Sequence, residues 1–243
     1  MKTEALLSLG VPLVFALMLF IETRSPARAY EPVSGWRWLG GAFFVSTIVV
    51  GALTPLLIPV AYLQGRSVFD LSPLGLWGVP IGLLATTFAG YWLHRAEHRF
   101  GWLWRATHQL HHSPVRVDML GAYFSHPLEV LLKVGMSTLL ASFVLGLSPL
   151  AASSVSLLIA SLSLFQHWNI HTPRWLGLFI QRPEAHCVHH AKGDRGHNFS
   201  ELPLWDMLFG SFHNPPTFHG PVGLDAPTTP RVVDMLLMRN APL

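Results

Sequence analysis

Long stretches without a charged side chain limit how this chain can fold. Residues 39–63 run for 25 residues without Asp, Glu, Lys or Arg, residues 71–93 for 23, and residues 134–165 for 32. About 20 consecutive apolar residues let a helix cross the hydrocarbon of a bilayer. The 32-residue run is too long for one crossing and carries Gly146-Leu147-Ser148-Pro149 near its middle. Gly and Pro punctuate chains, so it reads as two helices folded into a hairpin. A further run, residues 5–21, has 17 residues and is followed by Ile21-Glu22-Thr23-Arg24. With no small-residue cleavage site there, it reads as a helix and not a signal peptide. The expected fold is all-α: a multi-span membrane helical bundle of about four to five transmembrane helices, four if the first lies in the interface. Composition agrees. Of 243 residues, 51% are hydrophobic and 12% charged, against about 25% charged in a soluble domain.

Basic residues orient the spans. Arg24, Arg28 and Arg37 follow the first, Arg95, Arg99, Arg105 and Arg116 the third, and Arg174, Arg182, Lys192 and Arg195 the fifth. The intervening turns hold only Arg66. Five alternating spans therefore put every basic segment on one side, which the positive-inside rule makes the cytoplasm. The expectation is a multi-pass protein of a bacterial inner membrane. The net charge of +3 is scattered along the chain, which gives no case for nucleic acid. A single cysteine, Cys187, allows no disulfide framework, CxxC zinc site or iron–sulfur cluster within the chain. Residues 1–70 read as N-terminal transmembrane helices, 71–214 as a catalytic domain, and 215–243 as a peripheral C-terminal tail.

Histidine is the anomaly, with 14 in so apolar a chain. Ten fall into four groups: His94 and His98 in HRAEH, His108, His111 and His112 in HQLHH, His167 and His171 in HWNIH, and His186, His189 and His190 in HCVHH. Residues three and four apart share a helix face, so each group presents neighbouring imidazoles. Neutral imidazole is a ligand for iron, zinc and copper. Ten nitrogens exceed what one ion uses and suit two, with positions left for water or dioxygen. All four groups fall at one membrane face, where a site could take a lipid from the bilayer and stay open to a soluble electron donor. A lone histidine is more often a hydrogen-bonded packing residue, the reading given to His126, His197, His213 and His219.

At these residues the chain resembles the fatty acid hydroxylase / sterol desaturase superfamily of membrane di-iron enzymes. The resemblance covers residues 91–212, in the order HRAEH, HQLHHS, SHPLE, FQHWN, HCVHH, HNFS and LWDMLFGSF. It implies helices capped by a cytosolic histidine-rich helical domain holding a di-metal site. It also implies oxygen-dependent hydroxylation or desaturation of a lipid such as a sterol or fatty acyl chain. Carried over residue by residue, the metal ligands are His94, His98, His108, His111, His112, His167, His186, His189 and His190. His171 joins them by its i+4 spacing from His167. His126, Asn169 and Asp194 are candidates for hydrogen-bonding a ligand, while Asn198, Trp205 and Asp206 serve either packing or function. No catalytic residue beyond the metal ligands is expected.

The implied cofactors are two Fe ions, though zinc also binds imidazole well and can take their place in a purified sample. The implied partners are the lipid substrate, O2, the membrane, and an external electron donor. The chain has neither a GxGxxG after a strand nor a spare cysteine set, so electrons come from a cytochrome b5-like protein or a ferredoxin with its reductase. Two rival readings fit less well. A histidine-rich membrane metal transporter would place ligands at mid-membrane along a pathway. A bis-histidine haem protein needs single histidines on facing helices, not HxxHH triplets.

Overall fold

A computed structural model of the chain describes residues 9–194, 196–224 and 231–239. Positions 5–8 of the first apolar run, Arg195, and residues 225–230 and 240–243 of the tail lie outside the described residues. Proline suits the first helical position, where its missing N–H is no loss. Helices accordingly start at Pro127 and Pro149, each behind a capping side chain. His126 Nδ1 accepts from the Leu128 N–H at 3.1 Å, and Ser148 Oγ accepts from the Ala151 N–H at 3.3 Å.

The helices include α1 (Gly10–Arg24), α2 (Trp36–Leu53), α3 (Gly78–Arg99), α4 (Pro127–Leu139), α5 (Pro149–Gln166), α6 (Pro183–His189), α7 (Pro203–Phe209) and α8 (Val232–Leu236). No strand occurs among the described residues, only an isolated bridge between Ala191 and Val222. Among the described residues, four segments are long and apolar enough to span a membrane: Trp36–Leu57, Ser72–Arg99, Pro127–Val144 and Pro149–Gln166. The last two form the expected hairpin. Its turn holds Gly146 at φ +56° against Phe69 O and Ser67 Oγ, where a Cβ would clash, so only glycine suits it. The described part of α1 has 15 residues, short of the roughly 20 needed to cross.

All four spans share an end. Trp36, at the start of α2, donates its indole N–H to Asp118 at 3.1 Å. Helix α3 ends at Arg99, α4 begins behind His126, and α5 ends beside His167. Helix α1 runs the same way as α5. Its Glu22 accepts the Asn169 N–H at 2.9 Å and the Met119 N–H at 3.1 Å, while Gly10 abuts Leu157 halfway along α5. Arg28 and Arg182 bond within the cap at this same end. At the opposite end the Val68 and Phe69 N–H groups bond Phe143 O and Val144 O.

Helices α3 and α5 approach closely because Gly82 faces Leu147 and Val155, each of which a Cβ would meet at 2.8 Å. Small residues permit such contact where no hydrophobic force separates helix from lipid. At the histidine end Trp36, Phe43, Trp104, Leu110 and Phe124 form a core. Helix α8 completes it: Val232 and Met235 are buried there, and Gln109 donates to Arg239 O at 2.8 Å. The described helix of the tail thus packs beside the Trp104–His108 turn, with Val232 and Met235 in the same buried cluster as Trp36, Trp104 and Phe124. Burying each such side chain stabilises by about 1.5–3 kcal/mol.

Candidate metal centre

Helix α3 carries His94 and His98 one turn apart on one face, at its polar end. Past Gly101 the chain forms a π-turn, Trp104–His108, and further turns present His108, His111 and His112. His167 is the C-cap of α5. Helix α6 carries His186 and His189, with His190 as its C-cap. These four stretches converge on two sets of ring nitrogens, each set lying within 4.8 Å of one another. One set is His94, His98, His108, His112 and His189, and the other is His111, His167, His186 and His190.

Each HxxHH box is divided between the sets. Its i,i+4 pair (His108 and His112, or His186 and His190) goes to one set. Its i+3 member (His111 or His189) goes to the other. The rings of His112 and His190 stack at 4.3 Å where the sets meet.

His171 is not brought in. It is exposed, because α5 ends at Gln166 and the i+4 relation to His167 needs a continuing helix. His126, His197, His213 and His219 are also outside both sets. His126 uses both nitrogens elsewhere, with Nδ1 capping α4 and Nε2 donating to Leu236 O at 3.2 Å. Asn169 bonds no ligand either; its side chain donates to Arg28 O and accepts the Arg28 N–H. Asp194 stands one step removed: it accepts from His197 Nδ1, and the His197 carbonyl accepts from His189. Asn198, with φ +58°, ties Ala185 O to His213. Asp206 accepts the Phe199 and Ser200 N–H groups and the Ser211 hydroxyl.

The tautomers follow from the partners. A carbonyl only accepts, so the Nδ1–H of His94 donates to Phe199 O (2.6 Å), that of His167 to Ser163 O (2.7 Å) and that of His189 to His197 O (2.8 Å). His108 Nδ1 likewise faces the Glu129 carboxylate at 2.8 Å. In neutral imidazole the other nitrogen then carries a lone pair. His94 Nε2 and His108 Nε2 meet at 2.8 Å with no proton to share, and His112–His189, His167–His111 and His190–His186 approach to 3.1–3.2 Å. The facing lone pairs of His94 and His108 repel unless a cation lies between them. An ion bonded to imidazole nitrogen at about 2.0–2.1 Å puts adjacent nitrogens about 2.9 Å apart at an octahedral angle and about 3.3 Å apart at a tetrahedral one. The 3.1–3.2 Å separations fall in that range and the 2.8 Å one lies just below it, so the donor set fits a pair of metal ions.

Burial keeps these rings neutral. It pushes His108, His111, His112, His186 and His190 well below the usual histidine range, helped by neighbouring imidazoles. It brings His167 and His189 down to about 4. Neutral imidazole is the form that binds metal.

A carboxylate pair that the motif reading did not single out stands behind His108. Glu97 and Glu129 are both buried, their carboxylates 3.7 Å and 2.8 Å from His108 Nδ1. Lys133 Nζ donates to Glu129 at 2.6 Å and lies 3.6 Å from Glu97. Buried carboxylates are costly unless paired, and the lysine supplies the counter-charge. Its ammonium makes this cluster a support for His108 and not a third cation site. A carboxylate on the far nitrogen of a metal-binding imidazole orients the ring and raises its basicity. The available signal is Glu129 and Lys133, four apart and both charged, interrupting an otherwise apolar helix.

A family model described as fatty acid hydroxylase matches residues 79–211. Among curated proteins, the chain is 32% identical over 142 residues to an ornithine lipid hydroxylase of Rhizobium tropici, covering 57% of this chain and 42% of that protein. It is 27% identical to sphinganine C4-monooxygenase 1 of Arabidopsis thaliana, over 50% of this chain and 48% of the relative. It is 26% identical to human lathosterol oxidase, over 61% and 50%. The chain thus spans about half the length of the curated relatives it matches. No solved structure matches it significantly. With a family model covering more than half its length and including every histidine of both sets, this chain belongs to the fatty acid hydroxylase family.

Proposed function

We propose that this protein is a membrane-bound oxidoreductase that hydroxylates or desaturates an unactivated C–H position of a lipid. The observation that carries the reading is the meeting of nine imidazoles in two sets at the end of the spanning helices. The relatives' names support the lipid substrate class, since they act on an ornithine lipid, a sphingoid base and a sterol.

The proposed ligands are His94, His98, His108, His112 and His189 for one ion and His111, His167, His186 and His190 for the other. The proposed metal is iron, with zinc able to occupy the same nitrogens. Two bound iron ions would supply the activation of dioxygen that C–H oxidation demands. The chain itself supplies geometry. Carbonyls of Phe199, Ser163 and His197 and the Glu129 carboxylate fix four rings with Nε2 inward. The buried surroundings keep the imidazoles unprotonated, and the apolar spans deliver substrate from the bilayer.

Hydroxylation consumes the substrate, O2, two electrons and two protons, and yields an alcohol and water. Desaturation consumes the same and yields an alkene and two waters. An external donor, cytochrome b5-like or a ferredoxin with its reductase, provides the electrons. The histidine end faces the cytoplasm of a bacterial inner membrane, where basic loops are retained. Residues 71–214 form the catalytic unit, with further membrane helices in 1–70 and the tail in 215–243.

Lipid mass spectrometry of cells with and without the chain, supplied with a donor system, tests this. A product one oxygen heavier means hydroxylation; one lighter by two hydrogens means desaturation. An identical product profile from the His189→Ala variant would refute the assignment.

A further inference from the structure

Helix α7 belongs to no spanning segment, yet it lies beside one at depth, and the Arg174–Leu178 turn, also outside the spans, packs against α7. The Trp205 indole N–H donates to Thr87 Oγ1 at 3.0 Å, and its ring meets Phe88 edge-on at 5.0 Å. Phe209 packs on Tyr91 at 5.3 Å and Trp92 at 4.9 Å. On α3 the first charged side chain is Arg95. At 1.5 Å rise per residue, Thr87 lies about 12 Å further into the apolar part of that span. Helix α7 is therefore held alongside hydrocarbon-depth residues, with its Trp205 end deeper than its Phe209 end.

The outward faces match that depth. Leu208 is 62% exposed, Phe179 65% and Trp175 63%, and Leu178 and Leu204 are exposed with them. This patch continues onto the exposed Leu84, Phe88 and Trp92 of α3, a face that a spanning helix turns to lipid. Contiguous apolar surface of this kind is rare on a water-facing domain. The backbone is also prepared for a medium without water. Irregular chain is tolerated at membrane depth only where its polar groups are paired. Here the Asp206 carboxylate takes the Phe199 and Ser200 N–H groups, and the Ser211 N–H bonds Asp206 O. Pro203, at the helix start, has no N–H to satisfy.

We propose that α7 and the Arg174–Leu178 turn are sunk among the lipid acyl chains of one leaflet, so that the histidine-bearing cap is anchored in the bilayer through a non-spanning wedge. The partner is the hydrocarbon of the bilayer. The wedge stands independently of the reaction catalysed.

The test uses the full chain in phosphatidylcholine/phosphatidylglycerol vesicles. In a Cys187→Ser background, single cysteines at Leu208→Cys, Phe179→Cys and, as an aqueous control, Glu31→Cys carry an environment-sensitive NBD label. The labels at 208 and 179 are expected to be blue-shifted, quenched by nitroxide-bearing acyl chains and untouched by iodide; the label at 31 behaves the opposite way. In parallel, the unsubstituted chain is irradiated with a diazirine placed on the acyl chain, with adducts expected in 174–179 and 203–209. Water-like emission with iodide quenching at 208 and 179, or no adducts in those segments, overturns the proposal. Shielding from both quenchers together with a 208–208 disulfide between copies also overturns it, and makes the face a dimer contact.

Discussion

His111 and His112 are neighbours in the chain, yet their rings serve different sets, His111 facing His167 and His112 facing His108 and His189. Replacing either by alanine is expected to weaken a different ion. Four-ligand imidazole and thiolate sites bind zinc with about 10–16 kcal/mol, or about 2.5–4 kcal/mol per ligand, so one lost nitrogen weakens binding roughly 10²–10³-fold. The consequences differ because the sets differ in size. His111→Ala leaves three histidines in a set of four, whereas His112→Ala leaves four in a set of five. His111→Ala is therefore expected to fall from two ions per chain to one at a chelator strength that His112→Ala withstands. Paired substitutions separate the sets. His111→Ala/His167→Ala removes two ligands of one set and is expected to retain one ion. His111→Ala/His112→Ala weakens both sets and is expected to lose both ions under stronger chelation. The assay is metal per chain by mass spectrometry after dialysis against graded chelator. If the His111/His167 pair lost both ions while the His111/His112 pair kept one, the division of the boxes would be wrong.

Three further outcomes are expected. Glu129→Gln removes the carboxylate behind His108 and should cost about 10–100-fold in affinity at the five-histidine set, with the four-histidine set unchanged in the same competition assay. Lowering pH should destabilise the metal-free chain. Burial holds His167 and His189 at about 4 in the folded state against 6.5 when free, so the unfolded chain takes up protons first. Stability is full above pH 6.5 and lost as pH falls toward 4, by about 2 kcal/mol per histidine between pH 7 and 5, read from denaturant unfolding in detergent. Gly82→Leu places a side chain where a Cβ already meets Leu147 and Val155 at 2.8 Å. Such overpacking between α3 and α5 should cost about 1–3 kcal/mol and lower Tm in a thermal scan.

What the sequence determined here is what depends on near neighbours. Apolar run length set the helical membrane class, and Gly146-Leu147-Ser148-Pro149 marked the hairpin turn that the structure forms. The HxxHH and HxxxH spacings bring histidines together because three- and four-residue steps share a helix face. That rule failed where its premise failed: α5 stops at Gln166, so His171 turns outward while His167 turns in. Only the tertiary structure decided which nitrogens share a set, since that depends on how α3, α6, the end of α5 and the 104–112 turn are placed against one another. It likewise brought Glu97, Glu129 and Lys133 behind His108, buried α8 beside the Trp104–His108 turn, and held Trp205 against Thr87. Each of these contacts joins segments more than 20 residues apart or depends on such a joint. Periodicity reports which face a residue occupies, but the distance between two faces is set by the packing of whole helices.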